Sequence, residues 1–215
     1  MTNKRLFVTL FFLTSSLIGF AQTNAIDIPN FGDKYSDYVR KLESGQTDID
    51  YTDFRHSFLE SKQFARKGTE YDSLKRLVRA AANNKNYDEV ITLTKKMLSI
   101  DYTSMFAHKY LQQTYKIQGD TVNRRKYHDI EFGLLNSITH SGDGKSCETG
   151  WHVTQIEEEY FILFVLGATL KTQSISTGGK NICDKMEVTE DGETKIYYFE
   201  ANKVFEMEKK ALGEK

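Results

Sequence analysis

Over residues 33–139 the apolar residues return every three or four positions, and after Gly150 they return every second position. The first spacing places side chains on one face of a helix, the second on one face of a strand. The order of the two patterns predicts an α+β fold: an N-terminal helical layer packed on a C-terminal, mainly antiparallel β-sheet.

Tyr35, Tyr38, Val39 and Leu42 form the first apolar face, in a helix expected to end near Ser44-Gly45. A second helix opens at Asp50 or Thr52, with Asp50 as its cap, and carries Phe54, Phe58 and Leu59. Arg55, His56, Lys62, Arg66 and Lys67 give this segment a basic bias, read as a solvated face. Leu74, Leu77, Val78 and Ala81 make the next stripe, broken by Asn83-Asn84-Lys85-Asn86. Val90, Ile91, Leu93, Met97 and Leu98 follow. Then come Phe106, Tyr110, Leu111, Thr114 and Tyr115 up to Gly119, and a last helix from Asp120 or Thr121 through Tyr127, Ile130, Leu134 and Leu135.

The sheet portion is assigned to residues 151–207. Trp151, Val153 and Gln155 alternate with His152, Thr154 and Ile156, and Glu157-Glu158-Glu159 reads as a charged turn. Tyr160 to Leu166 is an unbroken β-prone run, expected to be a central strand covered on both faces. Further strands are expected at Thr172 to Thr177, Asp184 to Thr189 and Thr194 to Ala201. The last two flank Asp191-Gly192, a strong hairpin signal. From Glu208 to Lys215 the chain reads as a polar tail.

The N-terminus sets the expected compartment. Lys4 and Arg5 precede the uncharged apolar run Leu6 to Phe20, which ends in Gly19-Phe20-Ala21, the pattern of a signal peptide over residues 1–21. Cleavage after Ala21 would leave Gln22 first, and residues 22–32, with the sole proline Pro29, form an extended leader. A spanning helix needs about 20 apolar residues, and no later segment reaches that length, so no membrane span is expected after cleavage. The protein is expected to be exported, periplasmic or extracellular. Loss of Lys4 and Arg5 lowers Lys+Arg from 29 to 27 against 30 Asp+Glu, with no basic block to track a phosphate backbone. Nucleic acid is therefore not an expected partner.

Residues 140–150 join the two patterns, and with Trp151 and His152 they hold the densest set of reactive side chains. Gly142-x-Gly144-Lys145-Ser146 invites comparison with a phosphate-cradling loop, but Thr139 stands where that motif needs glycine. A tight turn is the expected role. Asp143, Cys147 and His152 are the residues to test for hydrolase or metal-dependent chemistry, although no paired ligands at zinc spacing accompany them. Neither a metal nor any other cofactor is predicted. The chain's two cysteines, Cys147 and Cys183, are a disulfide candidate in an oxidising compartment; two buried thiols are the alternative. The aromatic row Tyr197, Tyr198 and Phe199, with Trp151 and Tyr160, would turn about half of its rings outward if the strands alternate. Asp143, Lys145, Trp151, Tyr160, Tyr197 and Tyr198 are accordingly the binding candidates.

Two resemblances add to this reading. Tyr87-Asp88-Glu89-x-Ile91, Lys96-x-Leu98-x-Ile100-Asp101 and Leu111-x-x-x-Tyr115-x-x-x-Gly119-Asp120 resemble the tetratricopeptide repeat, whose period is about 34 residues. Val90 and Met97 stand where the repeat has small alanines, Gln112 replaces a glycine and Tyr102 the terminal proline. One and a half such units fall short of the ~3 a stacked array needs, so a repeat-like layer is implied rather than a peptide-binding superhelix. Second, the export signal together with Tyr51 to Phe58, Gly68 to Tyr71, Gly142 to Ser146, Trp151-His152-Val153, Glu159 to Leu163, Cys183 to Val188 and Ile196 to Phe199 looks like an uncharacterised domain family of exported Bacteroidetes proteins. That likeness implies an envelope location and a single α+β unit, and carries no activity to transfer. The function expected is a non-enzymatic binding or interaction module for an envelope protein, a peptide or a glycan. The alternative is an enzyme centred on residues 140–152.

Overall fold

The structure, a computed structural model, describes residues 26–28, 31–64 and 67–211. The expected signal peptide and most of the leader lie outside the described residues, as does Arg66. Six helices come first: α1 (Lys34–Glu43), α2 (Tyr51–Glu60), α3 (Thr69–Asn83), α4 (Tyr87–Ile100), α5 (Met105–Gln118) and α6 (Thr121–Thr139). Local chemistry explains most of their ends. Asp33, Asp50, Asn86, Ser104 and Asp120 each accept a hydrogen bond from a backbone N–H in the first turn, satisfying donors that a helix start leaves open. Consecutive helices from α3 to α6 pack against one another, and α2 closes against α6.

The rest of the chain forms β1 (Trp151–His152), α7 (Ile156–Leu166), β2 (Thr169–Gly178), β3 (Asn181–Glu190), β4 (Glu193–Glu200) and α8 (Asn202–Ala211). The sheet order is β1-β4-β3-β2, with β1 parallel to β4 and the other pairs antiparallel. Asp191 and Gly192 both take positive φ, 54° and 82°, the backbone a two-residue hairpin between β3 and β4 requires. One sheet face carries Met186, Val188 and Phe199, all fully buried in a core continuous with the helical layer.

Two expectations are corrected. Tyr160 to Leu166 belongs to helix α7, not to a central strand, and Glu157, Glu158 and Glu159 are its first turn rather than a loop. Acids in the first turn complement the partial positive charge of a helix start. At the other end Gly167 takes the left-handed φ of 69°, and the Ala168 N–H bonds back to Leu163 O at 2.9 Å, closing the helix. The end of the chain also differs: α8 begins at Asn202 and runs through the expected tail to Ala211, burying Val204.

The 140–150 junction is tied to both layers. Asp143 and Gly144 donate their N–H groups to Thr149 O, Tyr198 N–H donates to Gly144 O at 2.9 Å, and Cys147 is disulfide-bonded to Cys183 in β3.

Candidate binding cleft

Three helices of the fold leave a cleft of about 340 Å³ between them. Helix α3 contributes Tyr71, Lys75 and Arg79 at four-residue steps, one face of one helix. Helix α5 contributes Phe106, Lys109, Tyr110 and Gln113, and α7 contributes Glu157, Tyr160, Phe161 and Phe164. The α4–α5 connection supplies the floor through Asp101, Thr103 and Ser104, joined by Lys67 and Gln155.

The floor is a closed polar network. Lys67 Nζ donates to Asp101 Oδ2 at 2.9 Å and to Gln155 Oε1, and lies 3.6 Å from Glu157 Oε1. Gln155 Nε2 donates to Thr103 Oγ1 at 2.9 Å, and Asp101 Oδ1 accepts from the Thr103 N–H and hydroxyl. Burial works against the charge on Lys67, but Asp101 and Glu157 outweigh it and hold the ammonium above its ordinary range. Lys67 Nζ also sits 4.5 Å from the Tyr71 ring centre.

Below the floor a second ion pair joins the layers. Arg55, on α2, presents Nε and Nη2 to the two carboxylate oxygens of Glu158 on α7, each at 2.8 Å. The same guanidinium donates to His152 O at 2.9 Å and Ser137 Oγ at 3.3 Å, while Glu158 accepts the Thr154 N–H at 2.7 Å. A bidentate pair with its remaining donors and acceptors satisfied is the arrangement in which buried charges are tolerated. The expected solvated basic face is corrected at two positions, since Arg55 is 2% exposed and the Lys67 side chain 13%, whereas Lys62 is exposed as expected.

The walls differ from the floor. Lys75 Nζ and the Arg79 guanidinium each lie 5.4 Å from the centre of the same Phe106 ring, and Lys109 Nζ lies 5.3 Å from that of Phe164. Burial first, then Arg79 and Lys67, pull Lys75 below the usual lysine range against the opposing charge of Glu157.

The residues singled out from the sequence occupy other places. Asp143 is exposed and accepts from the Lys145 N–H at 3.0 Å and Thr149 Oγ1 at 2.6 Å; the Thr149 bond, then Lys145, hold its carboxyl below the usual range. Lys145 is exposed beside it. The Cys147 sulfur is bonded to Cys183 and so is no thiolate. The His152 ring is exposed, while its carbonyl serves Arg55. Trp151 packs with tilted rings against Tyr197 and Phe199, centroids 5.3 and 5.6 Å away, at the core face of the sheet, whereas Tyr198 pairs with Lys185 on the opposite sheet face. These rings therefore make no continuous exposed row. Tyr160 lines the cleft from α7, its hydroxyl donating to Gln173 Oε1 at 2.8 Å. Among the described residues no cluster of three His, Cys, Asp or Glu side chains is arranged to hold a metal, and no helix is long and apolar enough to cross a membrane.

Fold and site together define a single α+β unit with a three-helix cleft above a saturated ionic floor. The family model for the domain of unknown function DUF4919 matches residues 27–210, and the chain belongs to that family. Comparison with curated proteins and with solved structures returns no match.

Proposed function

We propose that this protein is an exported, non-enzymatic binding module of the cell envelope, with the cleft between α3, α5 and α7 as its recognition site. The supporting observation is the way the cleft is built. Its floor charges are consumed by bonds to one another, which fixes the cavity's shape, while the walls offer aromatic surface and cationic side chains to an occupant. Export is supported by the Lys4-Arg5 and Leu6 to Phe20 pattern and by the Cys147–Cys183 bridge, which suits an oxidising compartment. The cleft is large enough for a small molecule or for the end of a peptide or glycan. Peptide and glycan arrays probed with residues 22–215, wild type and Gln113→Trp, test the reading, because Gln113 is an exposed residue on the cleft wall that an indole would fill. Binding by the wild type and loss in the variant are expected. Undiminished binding by the variant, or turnover of the ligand by the wild type, would overturn the assignment. Fractionation that leaves the protein in the cytoplasm would overturn export.

A further inference from the structure

We infer that the occupant of the α3–α5–α7 cleft is a small amphipathic anion, its charged head held by Lys75 and Arg79 and its apolar body lying along Phe106 and Phe164. The inference rests on the binding reading above and adds the chemistry of the ligand.

Neutralisation of the other cations singles out this pair. Four cationic side chains line the cleft. Lys67 is paired with Asp101, and Lys109 with Glu131 at 3.4 Å. Lys75 and Arg79 stand one helical turn apart, and among the described residues no carboxylate lies within ion-pair distance of either. Both lie against one Phe106 ring, which supplies a π-face but no countercharge. Two like charges four residues apart on a helix repel; at Lys75 burial and this repulsion lower the pKa against the opposing charge of Glu157, which acts from beyond ion-pair distance. An anion set against both cations would relieve the repulsion.

The acids that line the cleft make their ion pairs with other cations, although the charge of Glu157 reaches Lys75. Asp101 is bound by Lys67 and Glu158 by Arg55; Glu157, 40% exposed in its side chain, sits on α7 beside Lys67. The cleft is therefore polarised, with its free positive charge on α3 and its partly exposed negative charge on α7. A ligand's negative head is directed to the α3 side, and the Phe106 and Phe164 rings remain for its body. A volume of about 340 Å³ is near the lower end of the ~300 to 1,000 Å³ usual for ligand pockets, which favours a small free molecule over a folded surface.

Calorimetric titration of residues 22–215 with decanoate, decanol and decyltrimethylammonium varies head-group charge on one apolar body. Decanoate is expected to bind at least about tenfold more tightly than decanol, the scale of one charge-assisted hydrogen bond. The Lys75→Gln/Arg79→Gln variant should lose that advantage and retain the decanol affinity, which also reports an intact cleft. Equal affinity for the three probes, preference for the cation, no binding of decanoate, or undiminished decanoate binding by the double variant would each overturn the head-group assignment. Should decanoate show no advantage while decanol or the cation binds the wild type and not Gln113→Trp, the cleft stands as a binding site and the anion alone is refuted. If no probe binds, the anion inference falls, and the array experiment decides the binding reading separately.

Discussion

Arg55 and Glu158, 103 residues apart in the chain, meet in a two-pronged ion pair with side chains only 2% and 5% exposed. Their bond joins α2 to the start of α7, and the same guanidinium reaches α6 and β1. Removing one partner strands a charge in a dry site, which costs about 3 to 5 kcal/mol, whereas removing both strands none. Arg55→Met should therefore destabilise the protein by that amount in urea unfolding. Arg55→Met combined with Glu158→Leu should be less destabilised than Arg55→Met alone. If the double variant is the less stable of the two, the cost of Arg55→Met does not come from a stranded Glu158 charge.

The Cys147–Cys183 bond closes a loop with a sequence separation of 36 between the junction and β3. Chain-entropy arguments give a bridge of that span about 4 kcal/mol of stabilisation through the unfolded state. Cys147→Ser/Cys183→Ser should unfold at lower denaturant by about that margin while still occupying the cleft, since neither cysteine lines it. Peptide mapping without reductant should recover the two cysteine peptides joined. Recovery of separate thiol peptides from the native protein would contradict the bond.

Signals written in adjacent residues are legible in the sequence. Asp50, Gly119-Asp120 and Asp191-Gly192 act on backbone groups within a few positions of themselves, and each stands at the helix end or hairpin its chemistry favours. Tyr160 to Leu166 reads as a strand yet folds as a helix because an unbroken apolar run has no periodicity to separate the two. The available arbiters were the three glutamates before it and Gly167 after it, which together mark a helix start and stop. Arg55 and Lys67 look like surface charges in sequence because their partners, Glu158, Asp101 and Gln155, are remote in the chain. The cleft was hidden for the same reason. Lys75 and Arg79, or Phe106 and Tyr110, read separately as ordinary helix faces, and only packing sets them opposite one another.

His108 is fully buried, with Nε2 2.7 Å from Tyr102 O. Burial pushes its pKa from 6.5 down to about 4, against the Tyr102 bond and the Glu43 and Asp101 charges. Below pH 6.5 the unfolded chain takes up a proton that the folded chain refuses, so stability falls as pH drops from 6.5 to about 4. The slope is at most about 1.4 kcal/mol per pH unit. His108→Gln, which keeps a donor, should flatten this limb of the denaturation profile. A variant limb as steep as the wild type's would show that His108 does not titrate in this way.

Glu159 produces the opposite slope. It is fully buried on α7 with no cation paired to it, and the acidic side chain of Asp184 is its polar neighbour. Burial, and then the charge of Asp184, push its pKa from 4.5 up to about 9, so the folded protein holds a proton that the unfolded chain releases. Stability is then greatest below pH 4.5 as far as this group is concerned, and declines as pH rises toward about 9. Glu159→Gln is neutral at every pH and nearly the same shape, so it should remove that decline and make the protein more stable than wild type at pH 8. Because His108 and Glu159 act in overlapping ranges with opposite sign, the informative quantity is the difference between variant and wild-type unfolding free energies at each pH. A difference that stays constant from pH 5 to 9 would mean that Glu159 is ionised inside the fold, and would require a countercharge beside α7.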